Sequence, residues 1–268
     1  MKKRLEILLV LGTIFAIIGC GCGAVRRAPA SKRQNRNGLF FIVNEQSPYT
    51  GIFFEHYQNE QLKNEESYKN GKRDGICKAW HKNGQLIYEE SYRDGILNGP
   101  NKVWHENSQL KNEGFYKDGR PDGAHRAWYE DGQVKSEESY RVGILNGPNK
   151  AWYENGQLKN EGFYKDGKPD GAHRVWYENG QLKSEESYKN GKIVSIETYK
   201  NGKPDGAHRV WYENGQLKKE GYYKDGKPDG YHRAWSKNGS LKSETNYLEV
   251  ATSVFDSVKT TFTSKKTG

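Results

Sequence analysis

Residues 171–188 read GAHRVWYENGQLKSEESY, and close copies of this stretch fill most of the chain. A tryptophan recurs every 24 residues from Trp80 to Trp176, and Trp211 and Trp235 are also 24 residues apart. Self-similarity at a fixed period indicates a repeat architecture, in which each unit packs against its neighbours. The structural tryptophans of the repeat are Trp80, Trp104, Trp128, Trp152, Trp176, Trp211 and Trp235.

The period is broken once. The interval from Trp176 to Trp211 is 35 residues, and the additional stretch, residues 189–199 (KNGKIVSIETY), resembles half a unit. We therefore interpret residues 51–247 as eight 24-residue units plus one half-unit. A longer period is also present, because the sequence GILNGPNK of residues 95–102 recurs at residues 143–150, one 48-residue double unit later.

Each half-unit predicts a β-strand followed by a turn. Asn-Gly and Asp-Gly pairs between alternating aromatic and polar residues are strong hairpin signals, and a glycine-containing turn every 11 to 13 residues does not fit helices. The predicted fold class is all-β, an elongated up-and-down antiparallel sheet or solenoid of tandem 24-residue β-hairpin repeats. Two strands per unit plus the half-unit give about 17 strands in the array.

The turn after Trp176 decides which residues share a face of the sheet. A two-residue turn would set Tyr177 opposite Leu182, whereas a three-residue turn with Gly180 as a bulge would set Trp176 opposite Leu182. We favour the three-residue turn, because it is expected to gather Trp176, Leu182 and Tyr188 on one face. A one-residue slip would exchange the faces.

The N-terminus has the pattern of an export signal. Residues 1–19 combine a basic start with an apolar segment, and residues 17–20 read IIGC. This resembles the bacterial lipobox, which implies cleavage before Cys20 and a diacylglycerol group on its sulfur. The alternatives are a plain signal peptide or an uncleaved anchor, with Cys20 an ordinary thiol.

Two further segments flank the array. Residues 20–37 are rich in arginine and lack acidic residues, which predicts a basic tether, either solvated or lying on anionic headgroups. Residues 38–50 contain the apolar run LFFIV and predict an N-terminal capping strand. Residues 248–268 are rich in serine and threonine and predict a polar tail.

Composition limits the partners. Apolar residues make up only 33% of the chain, too few for a deep core throughout. The net charge of +9 with interleaved aromatics is typical of nucleic-acid binding. However, part of that charge lies in the signal and tether, and glutamate alternates with lysine in each unit. We therefore do not expect nucleic acid as a partner.

No catalytic, metal or cofactor site is predicted. The sequence shows no carboxylate pair, Ser-His-Asp set or phosphate-binding loop, so we expect no enzymatic activity. Four histidines share one repeat position: His125, His173, His208 and His232. Equivalent positions in successive units lie two strands apart, about 9.6 Å, which is too far for two of these histidines to bind one zinc ion. Cys77 is predicted to be half-buried and inert.

The pattern W-Y-E-N-G-Q-L-K-x-E-x-x-Y-K-x-G-K-x-x-G resembles the MORN-variant repeat of bacterial proteins, many of which carry a toxin–antitoxin antitoxin label. The resemblance covers residues 51–247 and is carried by stretches such as residues 176–180, WYENG, and 164–167, YKDG. It implies an all-β hairpin array with a binding or scaffolding role and no catalytic residue. An antitoxin role conflicts with an export signal, since antitoxins typically act in the cytoplasm.

These observations predict a lipid-anchored scaffold outside the cytoplasm, at the outer membrane or cell surface if the cell has two membranes. It would bind a protein partner or serve in surface adhesion. One alternative is binding of envelope glycan by a strip of exposed tyrosines. A second is contact with membrane lipid or antitoxin-like partner binding. Open sheet edges also predict edge-to-edge self-association. The candidate ligand-binding tyrosines are Tyr129, Tyr153, Tyr177 and Tyr212.

Overall fold

The computed structural model describes residues 25–248, so the signal segment, Cys20 and most of the C-terminal tail lie outside the described residues. The N-terminal elements are β1 (Arg27–Pro29), a 3-10 turn (Ala30–Lys32), β2 (Arg33–Arg36) and β3 (Leu39–Ile42). The array contains β4 (Gly51–His56), β5 (Leu62–Lys69), β6 (Lys72–Trp80), β7 (Leu86–Arg93), β8 (Ile96–Trp104), β9 (Leu110–Lys117), β10 (Arg120–Trp128), β11 (Val134–Arg141), β12 (Ile144–Trp152), β13 (Leu158–Lys165), β14 (Lys168–Trp176), β15 (Leu182–Lys189), β16 (Lys192–Lys200), β17 (Lys203–Trp211), β18 (Leu217–Lys224), β19 (Lys227–Trp235) and β20 (Leu241–Asn246).

Each strand from β4 to β20 pairs antiparallel with the next strand of the chain. Strand β1 adds to β4 in parallel, which completes a sheet of 18 strands among the described residues. Strands β2 and β3 form a separate hairpin. The predicted all-β, up-and-down sheet of tandem hairpins is thus confirmed.

The wide turn of the repeat has the predicted geometry. Trp176 pairs with Leu182, and Gly180 has a φ of 80°, a conformation that glycine adopts at no steric cost. The backbone N–H of Gly180 donates to the carbonyl oxygen of Tyr177 at 2.9 Å, which closes the type I turn. The three-residue turn with Gly180 as the bulge is therefore confirmed.

The prediction that Trp176 and Tyr188 share one face of the sheet is wrong. The register shifts by one residue beside the turn, so that Val175 pairs with Ser184 and Lys183 is left as an extra residue in β15. Because side chains alternate along a strand, this bulge moves every later side chain of β15 to the other face.

Two faces can now be defined. The Trp face carries Arg174, Trp176 and Glu185, and Arg174 pairs directly with Glu185. The Tyr face carries Tyr188 and His173, whose rings meet edge to face with centroids 5.0 Å apart. In every unit up to β15 these two repeat positions keep their faces, because each unit adds an even number of strands.

The half-unit exchanges the two faces of the sheet for the units that follow it. Glu186, on the Tyr face, pairs with Ile196 of β16, and Ile196 pairs with Arg209 of β17. Arg209 is the repeat equivalent of Arg174, yet it lies on the face continuous with Glu186. One inserted strand reverses the direction of every strand that follows, so β17–β20 present the Trp-face residues on the opposite side of the sheet.

The wide turns change edge at the same point. The ion pair between Lys189 and Glu213 joins the tight turn after β15 to the wide turn after β17. In earlier units wide turns follow one another on a single edge, as the hydrogen bond from Asn155 Nδ2 to the carbonyl oxygen of Glu178 shows. The last two wide turns therefore lie on the edge that carries only tight turns in the first six units.

The fully buried aromatic residues are concentrated at the N-terminal end of the described chain. Tyr49, Phe53 and Tyr68 form a cluster against which Phe40 packs, with 0% of Phe53 exposed. Phe53 and Tyr68 meet edge to face with centroids 5.3 Å apart. We call β1–β3 and the segment up to Tyr49 the cap, because this part covers the Tyr face of the first strands.

The basic tether predicted for residues 20–37 needs correction where the structure describes it. Residues 27–36 form β1, the 3-10 turn and β2 rather than a linker. Arg27 contacts Glu65 and Arg33 contacts Glu66, so these cations bind carboxylates of the array. An arginine satisfied by a nearby carboxylate gains a directed, charge-assisted hydrogen bond that a solvated linker lacks.

Cys77 is buried more deeply than predicted, with 1% of the residue exposed. Burial raises the pKa of its thiol to about 11, which disfavours the reactive thiolate. Between residues 25 and 248, no helix has the length and apolar character needed to cross a lipid bilayer.

Candidate interaction surfaces

The tyrosine row at the wide turns ties successive units together. The hydroxyl of Tyr129 donates to the carbonyl oxygen of Trp152 at 2.7 Å, and that of Tyr153 to the carbonyl oxygen of Trp176 at 2.9 Å. Tyr212 donates in the same way to Trp235 at 2.9 Å. Each bond crosses from one unit to the next, so the row has a structural role in the array.

Tyr177 differs from the rest of this row. The half-unit follows it, so no tryptophan carbonyl is placed to accept its hydroxyl, and 37% of the residue is exposed. Its ring is contacted by Lys183, whose Nζ lies 5.6 Å from the ring centroid. Tyr212 lies on the opposite edge because of the inversion, so the four candidate tyrosines do not form one continuous strip.

Arginines and lysines of the Trp face are paired with glutamates of the same face. Arg174 donates to Glu185 at 2.7 Å and to Glu161 at 3.1 Å, which links three strands. All seven tryptophans of the repeat are half-buried on the faces that carry these ion pairs. The charges therefore form an alternating row with little net sign. Other pairs of this row are Lys78–Glu89, Arg126–Glu113, Arg126–Glu137 and Lys150–Glu161.

Two exposed phenylalanines break the polar surface of the Trp face. Phe115 is 43% exposed and pairs with Pro100, and Phe163 is 45% exposed and pairs with Pro148. Both prolines are themselves exposed. Serine occupies the phenylalanine position in other units, at Ser67, Ser91, Ser139 and Ser187. We call these two Pro–Phe pairs the apolar patches.

Sequence reasoning missed the apolar patches although their signal was present. The 48-residue recurrence of GILNGPNK places Pro100 and Pro148 at equal positions in alternate units. The strand after each one contains Gly-Phe-Tyr where its neighbours contain Glu-Ser-Tyr. Four strands separate the patches, which corresponds to about 19 Å.

The repeated histidines of the Tyr face have a packing role. The ring of His173 lies between Tyr164 and Tyr188, with centroids 5.1 and 5.0 Å away, and its Nε2 contacts the carbonyl oxygen of Phe163 at 2.9 Å. It covers Gly162, where an added Cβ would fall 2.4 Å from Nδ1. His125 and His232 repeat this arrangement over Gly114 and Gly221. His208 faces Glu197 instead.

The Tyr face also carries glutamate–tyrosine pairs two residues apart. Tyr140 donates its hydroxyl to Glu138, and Tyr188 donates to Glu186. Burial and the Glu138 hydrogen bond raise the pKa of Tyr140 to about 12. The hydrogen bond to Glu186, followed by burial, raises the pKa of Tyr188 to about 12.

A groove of about 380 Å³ lies on the Tyr face beside these pairs. Glu90, Asn101, Tyr116, His125 and Glu138 are among its lining residues. Its wall therefore combines aromatic rings with carboxylates. Among residues 25–248, no cluster of three or more histidine, cysteine or acidic side chains is suited to hold a metal ion.

A sheet of stacked hairpins, held together by contacts between neighbouring units, defines a β-repeat protein. The chain belongs to the MORN repeat variant family, whose model matches nine segments that together span most of the chain. The short segment 188–201 overlaps the half-unit. No curated protein matches the chain. MORN repeats are commonly modules for protein or membrane-lipid interaction, and the family is not catalytic. The matched segments are residues 49–70, 73–94, 97–118, 121–141, 145–166, 169–190, 188–201, 204–225 and 228–249.

Proposed function

We propose that this protein is a lipid-anchored, non-enzymatic scaffold of the cell envelope whose partner is a protein bound on the Trp face. The observation that carries the binding proposal is the pair of apolar patches around Phe115 and Phe163. Exposed aromatic side chains rimmed by polar residues are typical of protein interaction sites.

The electrostatics of the Trp face favour a protein partner over a polyanion. Arg126 and Arg174 are held by glutamates on both neighbouring strands, so their charges are already compensated. An anionic membrane or nucleic acid is attracted by uncompensated cations. A folded protein can instead cover both patches, which are about 19 Å apart, within one interface of ordinary size.

The binding proposal is tested by cross-linking in cells. A photoreactive amino acid at Ser139, which lies between the patches at the same repeat position, should capture one specific protein. The variant F115S/F163S should lower this capture at least about tenfold, because contacts at the centre of an interface carry most of its binding energy. Serine is the natural residue at this position in other units, so the fold is expected to survive.

The matched control is Ser187→Ala in the same chain that carries the photoreactive residue at Ser139. It removes a hydroxyl at the same repeat position without removing an aromatic ring, and capture should be unchanged. Recovery of lipid or sugar alone, or equal capture by the wild type and F115S/F163S, would contradict the protein-binding proposal.

The membrane anchor rests on the sequence of residues 1–20, which resembles a lipobox signal. Cys20→Ser should abolish metabolic labelling by a fatty acid and release the protein from membranes. A small residue in its place leaves the array untouched, so a change in folding is not expected. Continued labelling of the variant would rule out lipidation at Cys20.

Envelope glycan is a second candidate, favoured by Tyr177. Its ring is exposed and its hydroxyl has no hydrogen-bond partner in the described part of the chain. Such a ring can stack on a sugar. Tyr177→Ala should then reduce retention on purified cell wall, whereas Tyr153→Ala, in the bonded part of the row, measures the purely structural effect. Equal retention of wild type and Tyr177→Ala excludes this site.

A further inference from the structure

The Tyr face repeats one three-residue arrangement at three places. In each, an aromatic residue on one strand pairs with a glutamate on the neighbouring strand, and a tyrosine follows the glutamate by two residues. We call these arrangements the cap site, the second site and the third site. They consist of Phe53, Glu66 and Tyr68; His125, Glu138 and Tyr140; and His173, Glu186 and Tyr188, respectively.

The cap occupies the first of these sites. Arg33 Nη1 contacts the carboxylate of Glu66 and lies 3.4 Å from the hydroxyl oxygen of Tyr68. The ring of Phe40 meets that of Tyr68 edge to face at 5.2 Å between centroids. The Arg33 guanidinium carbon lies 5.4 Å from the Phe40 ring centroid. One arginine and one aromatic ring, presented by the β2–β3 hairpin, thus fill the cap site.

The second and third sites lack these partners. Within the part of the chain that the structure describes, Glu138 and Glu186 each accept a hydrogen bond from one tyrosine and contact no cation. The cap site has a second cation, Arg73, opposite its tyrosine. Leu145 and Ile193 pair with the tyrosines of the other two sites instead.

The groove beside the second site carries negative charge, which is complementary to an arginine such as the one that fills the cap site. Its charged lining residues on the Tyr face are Glu90 and Glu138, whereas Glu113 and Arg126, which also line it, belong to the Trp face. Arg126 is already paired with Glu113 at 3.5 Å and with Glu137 on the neighbouring strand at 3.0 Å. The groove is therefore acidic, and a cationic ligand would gain from entering it.

We infer that the second and third sites bind a segment of a partner protein that carries an arginine beside an aromatic residue, as the cap does at the first site. The arginine forms the charge-assisted hydrogen bond to Glu138 or Glu186, and the aromatic ring packs on Tyr140 or Tyr188. The two sites are four strands apart, about 19 Å, so one partner with two such segments would bind both.

The test uses a defined probe, a head-to-tail cyclised, fluorescently labelled peptide with the sequence of residues 32–43, KRQNRNGLFFIV. Cyclisation holds the hairpin that presents Arg33 and Phe40. Titration against the full mature chain, followed by fluorescence anisotropy, should show saturable binding to two sites. A peptide with alanine at the positions of Arg33 and Phe40 should not bind.

The decisive variant is E138Q/E186Q, which should weaken peptide binding at least about tenfold, because it removes the charge that the arginine contacts. The matched control is E137Q/E185Q. It makes the same change in the same strands but on the Trp face, and should leave affinity within about twofold. Circular dichroism of each variant checks that the sheet is retained.

Absence of peptide binding up to about 1 mM, which corresponds to a binding free energy of about −4 kcal/mol, would overturn the inference. Equal weakening by E137Q/E185Q and E138Q/E186Q would overturn it as well. The result is independent of the proposed Trp-face partner. F115S/F163S should leave peptide binding unchanged, and E138Q/E186Q should leave cross-linking at Ser139 unchanged.

Discussion

The first unit and the later units place the same residue types at the same repeat positions, yet they differ in burial. Tyr68 is 3% exposed, whereas Tyr140 and Tyr188, its equivalents, are half-exposed. The difference is the cap, which lays a second layer over the Tyr face of β4 and β5. Repeat sequence therefore decides where a ring lies in the sheet, while a second layer decides whether it becomes core.

The comparison also shows how the rest of the array holds together. Beyond the cap the stabilising contacts lie between neighbouring strands and units. They are the tyrosine–carbonyl bonds, the ion pairs of the Trp face and the histidine–tyrosine contacts. Each is modest by itself, about 0.5–1.5 kcal/mol for a hydrogen bond and less for an exposed ion pair. A repeat array sums such nearest-neighbour terms.

The largest expected effect is at the centre of the cap cluster. Phe53→Ala should destabilise the capped end by about 3–5 kcal/mol, because it leaves a cavity among fully buried rings. His125→Ala, the same repeat position in an uncapped unit, should cost less than about 1.5 kcal/mol. Urea unfolding followed by tryptophan and tyrosine fluorescence measures both. Similar losses for the two variants would mean that the cap adds no core.

The next effect concerns the bonds between units. Tyr153→Phe should cost about 0.5–1.5 kcal/mol, because it removes the hydroxyl that donates to the Trp176 carbonyl. Tyr177→Phe should be within about 0.5 kcal/mol of the wild type, since the half-unit leaves its hydroxyl without that acceptor. The comparison is made by thermal unfolding under one set of conditions. The prediction fails if Tyr177→Phe lowers the free energy of unfolding more than Tyr153→Phe does.

The smallest effect is a loss of stability at high pH. The pKa of Tyr140 and of Tyr188 is raised to about 12 from an ordinary value of 10.0. A phenol with a raised pKa contributes stability that is complete below pH 10 and lost as the pH rises through about 12. Unfolding measured from pH 9 to 12 should show this decline, and Y140F/Y188F should flatten it. An unchanged slope in the variant would contradict the assignment.

The local features of the fold could be predicted because they depend on neighbouring residues. The 24-residue period, the strands and the bulge glycine at Gly180 all follow from short patterns with known turn chemistry. The bulge at Lys183 could not be predicted in this way. It is a register feature, and either register leaves a plausible apolar face, so the sequence pattern alone places Tyr188 on the wrong side.

The long-range features were harder to predict. Contacts such as Arg33 with Glu66 join residues 33 positions apart, and nothing in the arginine-rich composition distinguishes a bound segment from a linker. The inversion could have been predicted, because inserting one strand into an antiparallel sheet reverses the direction of every later strand. The apolar patches could also have been predicted from the 48-residue recurrence, because Phe115 and Phe163 are 48 residues apart and replace the serine of other units.

Hydrogen–deuterium exchange of the full chain, with and without the cyclised peptide of residues 32–43, compares the capped and open sites most directly. Without peptide, exchange should be slowest in β4–β6 and faster in β10–β15. With peptide, exchange should slow in β10, β11, β14 and β15 and remain unchanged in β4–β6. Uniform exchange along the array, or no response to the peptide in β11 and β15, would contradict the claim that the open sites are unfilled copies of the capped one.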